Sequence, residues 1–74
     1  MWKKGMIIIN GTELTFDLKV FEIGSSYGIS EGRISKLSCR RNGKEVINYD
    51  RGWDIRPKEN MDKEALEEIL KLYN

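Results

Sequence analysis

The amino-acid sequence contains no histidine, one cysteine and one proline. Without histidine it lacks the commonest metal-binding imidazole and the usual general base at neutral pH. Cys39, being alone, can form no intrachain disulfide. A small chain without a disulfide framework suits a reducing compartment, so a cytoplasmic location is expected. Long apolar runs are missing as well. The N-terminal one covers residues 6–9 and stops at Asn10-Gly11, too short for a secretion signal and far short of the ~20 residues of a membrane span. Neither sign of charge prevails: 13 Lys and Arg oppose 12 Asp and Glu, a net +1. Nothing in that balance draws the whole chain toward nucleic acid or a membrane surface.

The 74 residues, 39% hydrophobic and 34% charged, fit one folded domain over residues 1–74. Two Asn-Gly pairs organise it. Asn10-Gly11 separates residues 6–9 from the alternating run 12–20, in which Leu14, Phe16, Leu18 and Val20 share one face. This pattern predicts a β-hairpin with a two-residue turn. Opposed positions then sum to 21, which sets Gly5 against Phe16 and Lys4 against Asp17 and joins Ile7 and Ile9 to the apolar face. Asn42-Gly43 predicts a second hairpin, residues 33–41 against 44–50. A two-residue turn there pairs Cys39 with Val46. A type I turn with a glycine bulge pairs Leu37 with Ile47, and is preferred because it groups Leu37, Cys39, Ile47 and Tyr49 on one face. Residues 21–32, with Gly24, Gly28 and Gly32, read as a long connecting loop.

Beyond Pro57, residues 62–73 carry Ala65, Leu66, Ile69, Leu70 and Tyr73 in one helical stripe. Asn60 or Asp62 is the expected cap, and Lys63–Glu67 and Glu67–Lys71 are the expected solvent-side pairs. The implied fold is α+β, an antiparallel sheet of about four strands with one C-terminal helix packed on one face. That helix leaves the other face open. There Trp2, Met6 and Ile8 recur at period two, an apolar stripe that either the 21–32 loop or a second subunit covers.

Few groupings suggest chemistry. Residues 49–54, Tyr-Asp-Arg-Gly-Trp-Asp, place Arg51 and Trp53 in a short aromatic and charged cluster. It reads either as a recognition patch or as a glycine turn with Trp53 in the core and Arg51 paired to a carboxylate. Asp50 and Asp54 lack the further ligands or partner base that a metal or an acid–base pair requires. Cys39, although beside Arg40 and Arg41, reads as a small core residue. The spaced glycines 24, 28 and 32 lack the strand-to-helix context and lysine of a phosphate loop. Residues 33–44 hold Arg33, Lys36, Arg40, Arg41 and Lys44 and no carboxylate, the composition of a candidate nucleic-acid surface.

Residues 26–37, Ser-Tyr-Gly-Ile through Gly32-Arg33-Ile34-Ser35-Lys36-Leu37, together with the 49–54 string, resemble a small bacterial family of unknown function. That family is associated with clostridia and other Gram-positive bacteria, in part with mobile elements. The resemblance implies a compact β-rich domain with a C-terminal helix and supplies no activity, cofactor or catalytic residue. The expected function is a non-catalytic interaction module, a homodimer or a binder of another protein, acting through Trp2, Met6, Ile8, Arg51 and Trp53. No cofactor, metal or membrane partner is expected. The alternative is a small nucleic-acid-binding protein using Arg33, Lys36, Arg40, Arg41 and Lys44.

Overall fold

Asn10 and Gly11 both adopt positive φ, 49° and 81°, the backbone of the tight turn that matches strand twist. This turn joins β1 (Trp2–Ile9) to β2 (Thr12–Val20) in a computed structural model describing residues 1–74. The expected register holds: Lys4 opposes Asp17, Gly5 opposes Phe16, and Ile9 opposes Thr12. Phe16 lies over Gly5 so closely that an added Cβ would meet its ring at 2.6 Å. Glycine is needed there for space.

The second hairpin joins β3 (Ile34–Arg41) to β4 (Lys44–Asp50), and its register is neither of the two expected. Asn42 and Gly43, at φ 55° and 77°, make a two-residue turn that sets Arg41 opposite Lys44 and Arg40 opposite Glu45. One extra residue on β4, Val46, then shifts the ladder, so Cys39 opposes Ile47 and Leu37 opposes Tyr49. The bulge permits adjacent Val46 and Ile47 both to be buried, which strict alternation forbids. The grouping of Leu37, Cys39, Ile47 and Tyr49 on the buried side survives, by another route.

A fifth strand, β5 (Trp53–Ile55), adds to β4, and the sheet runs β1-β2-β3-β4-β5, antiparallel throughout. The chain reverses at Arg51, whose φ is 56° and whose N–H donates to the Ser35 carbonyl at 2.9 Å. Pro57 follows β5 and α1 (Asn60–Tyr73) crosses one face. The helix begins earlier than its stripe suggests. Its cap is Glu59, acting through the backbone: the Glu59 carbonyl accepts from the N–H groups of Asp62 and Lys63, with no side-chain cap. Ala65 and Ile69 are fully buried, and Leu66, Leu70 and Tyr73 pack partly exposed against the core. The one helix-surface ion pair is Lys71 with Glu68 at 3.3 Å, in place of the two expected pairs.

The core lies wholly between helix and sheet, with Leu14, Leu18, Leu37 and Ile47 from the sheet and Ile69 from the helix. The 21–32 connection closes one end of this layer. Its short 3-10 turn (Ile29–Glu31) buries Ile29, and the Tyr27 carbonyl accepts from the Tyr49 hydroxyl at 2.8 Å. Asn74 fastens the same end: its side chain accepts from the Ile34 N–H and donates to the Ile29 carbonyl.

Candidate interaction face

Because the loop is committed to the helix side, the opposite face of the sheet stays open. Register and alternation place Trp2, Lys4, Met6 and Ile8 of β1 there, beside Glu13, Thr15, Asp17 and Lys19 of β2. Trp2, Met6 and Ile8 are 56%, 52% and 60% exposed. The loop therefore does not cover this stripe. Its own Phe21, Ile23 and Tyr27 are exposed too.

The centre of the open face is polar and closely bonded. Arg40 donates to Asp17 at 2.7 Å and to the Ser38 hydroxyl at 2.9 Å. Ser38 donates to Glu45, and the Asn48 amide donates to the same carboxylate at 2.9 Å. These bonds, from Ser38 first and Asn48 second, hold the Glu45 carboxyl below the usual glutamate range. Lys36 and Lys19 oppose each other across β2 and β3, and each finds separate relief. Lys36 lies 3.7 Å from Asp50, and the Lys19 ammonium sits over the Phe21 ring at 5.3 Å. The open face thus has a self-satisfied polar middle and an apolar flank on β1.

Arg51 and Trp53 do not join that flank. Trp53 lies on β5, four interstrand spacings or about 19 Å from β1, and Arg51 lies in the turn before it, its N–H bonded to the Ser35 carbonyl of β3. Trp53 is half-buried, edge-on to Tyr49 at 5.1 Å, with the Arg56 guanidinium 5.0 Å from its ring. Arg51 is exposed beside Asp50 at 3.8 Å. The five basic-hairpin residues are dispersed as well. Arg33 donates to the Tyr73 carbonyl at 3.1 and 2.8 Å, a cation on the helix C-terminus. Lys36 and Arg40 are engaged on the open face, and Arg41 turns to the start of the helix. Only Lys44 has neither an ion pair nor a side-chain hydrogen bond.

Arg41 makes a two-bond pair with Asp62, at 2.9 and 3.1 Å. Asp62 is only 2% exposed, and its hydrogen bond and charge push the Arg41 guanidinium further up. The pair borders an open cleft of about 670 Å³ between the second turn, β5 and the start of α1. Lys44, Arg56 and Lys58 line it together with Glu45 and Glu59, so neither sign of charge owns it. No three His, Cys, Asp or Glu side chains come together as a metal group. Cys39 is fully buried, and burial, reinforced by the charge of Asp62, pushes its thiol up to about 11.

The sequence reading missed Lys4 as a member of the β1 flank, although the same alternation places it there. It also missed the Asp17–Arg40–Ser38–Glu45–Asn48 web and the Arg41–Asp62 pair. The web depends on the β4 bulge, and the pair joins positions 21 apart that no local spacing connects.

No curated protein and no solved structure matches this chain. A family model does, across residues 1–74, and by that match the chain belongs to the family described as Domain of unknown function (DUF7678).

Proposed function

We propose that this domain is a non-catalytic protein-interaction module that self-associates through the β1 flank of its open sheet face, in the cytoplasm. One observation carries the reading: Trp2, Met6 and Ile8 stay more than half exposed while every other apolar segment of the sheet has cover. Three large apolar groups in one stripe cost free energy in water, about 25 cal/mol per Å² of apolar area. A chain with 17 buried residues has few other sources of stability. A second copy brings the same stripe and forms a closed two-fold pair. Against nucleic acid stands the geometry of the basic hairpin, four of whose five cations are tied to Asp50, Asp17, Asp62 and the Tyr73 carbonyl.

Light scattering over a dilution series tests this. The wild-type protein is expected at twice 8.6 kDa, and Met6→Lys at the monomer mass with its fold intact, since position 6 is exposed in one chain. A wild-type protein that is monomeric at every concentration overturns the reading. If that monomer also binds random DNA with a steep salt dependence, the basic-hairpin alternative takes its place.

A further inference from the structure

The two edges of the sheet are unequal. At one, β5 is three residues long and runs into Pro57, a short edge that cannot template pairing. At the other, β1 has eight residues and neither proline nor bulge. Its backbone shows which groups are free. Asn10-Gly11 is a two-residue turn, so the closing pair Ile9–Thr12 exchanges both hydrogen bonds and alternate pairs follow. Met1 conforms: its nitrogen and carbonyl both bond Val20. Odd-numbered residues therefore bond to β2. Trp2, Lys4, Met6 and Ile8 turn their N–H and C=O groups outward, eight unpaired groups along one straight edge.

We infer that β1 pairs antiparallel with β1 of a second copy, in the register that sets Trp2 opposite Ile8 of the other chain and Lys4 opposite Met6. This rests on the self-association proposed above and specifies its geometry. A two-fold axis across an edge requires antiparallel pairing, with opposed positions adding to a constant. A constant of 10 pairs all four outward residues of each chain with their counterparts and satisfies every outward group. It places an indole against a β-branched side chain, a favoured cross-strand contact. A constant of 8 sets Lys4 against Lys4 and leaves Ile8 without a partner. A constant of 12 carries Trp2 onto the turn residue Asn10. Lys4 thus serves to reject one wrong register, a use of edge lysines that leaves the productive pairing intact. The result is a ten-stranded sheet in which the apolar stripes of the two chains run together across the seam.

Cysteine cross-linking tests the register. Chains carrying Lys4→Cys and chains carrying Met6→Cys are mixed, exchanged and oxidised, each also being oxidised alone. Opposed residues of a hydrogen-bonded pair have Cα atoms about 5.5 Å apart, within disulfide reach. The mixture is expected to give covalent dimer and each single variant none, with buried Cys39 inert. Covalent dimer from Met6→Cys alone, or from Lys4→Cys alone, overturns the register. A second variant, Lys4→Pro, removes an outward N–H that the single chain does not use. It is expected to raise the dimer dissociation constant at least tenfold while the circular dichroism spectrum is unchanged. A dimer that survives Lys4→Pro but is lost in Met6→Lys is held face to face, which overturns edge pairing and leaves self-association standing. A wild-type monomer overturns both.

Discussion

At the scale of the residue, the open face depends on one acid. Glu45 accepts from Ser38 and Asn48 and lies near Arg40, so its carboxylate is favoured in the folded state. A carboxyl held low in the folded chain contributes stability above its unfolded value, about 4.3 for glutamate, and loses that contribution as pH falls through the lower folded value. Glu45→Gln is therefore expected to be less stable than wild type at pH 7, with the gap closing as pH falls below about 4. Ser38→Ala, which removes the stronger of the two bonds, should narrow the gap over the same range. Urea midpoints from pH 3 to pH 7 measure both, and a gap that stays constant would contradict the assignment. Arg40, Ser38 and Glu45 could not be read as a web from the sequence. Their contact follows from the two-residue turn and the Val46 bulge together, and nothing about a Val-Ile pair announces a bulge.

At the scale of the element, legibility followed the strength of local pattern. The first hairpin was readable in full because Asn10-Gly11, the alternation of 12–20 and the Gly5–Phe16 fit all select one register. The helix stripe was readable too, while its start was misplaced because Glu59 caps through a carbonyl that no residue type signals. β5 was missed for a physical reason. Three residues containing an aspartate carry no periodicity, and the strand exists because β4 offers an edge. In α1 the stripe divides by burial. Ile69→Ala opens a cavity at a fully buried site and is expected to cost about 2–4 kcal/mol. Leu66→Ala should cost less, its side chain being only partly buried, and exposed Lys63→Ala a few tenths of a kcal/mol. Chemical denaturation of the three separates them, and equal losses would refute the helix placement.

At the scale of the whole molecule, the decisive feature is that all of the core lies on one side. Helix, loop and Asn74 close the layer over Leu14, Leu18 and Ile69, and the reverse of the sheet has only its polar web and the β1 flank. The sequence made the one-sidedness legible, since one helix cannot cover two faces. It left open whether residues 21–32 wrap round to the stripe, because loop direction is set by contacts such as Tyr49 to Tyr27 that glycine spacing does not encode. With the loop assigned to the helix side, folding and association become linked. Mass action favours the folded pair as concentration rises. Above the dissociation constant, a tenfold increase adds about 0.7 kcal/mol per chain, half of the ~1.4 kcal/mol that a tenfold change represents. For a domain of this size that raises the thermal midpoint by roughly 3–6 °C. Calorimetry at several concentrations is expected to show this rise for the wild type and a flat midpoint for Met6→Lys, whose added ammonium stands opposite Lys4 of the other chain, a like-charge cross-strand pair. A wild-type midpoint that ignores concentration would mean that the stripe contributes nothing to the folded state beyond its own chain.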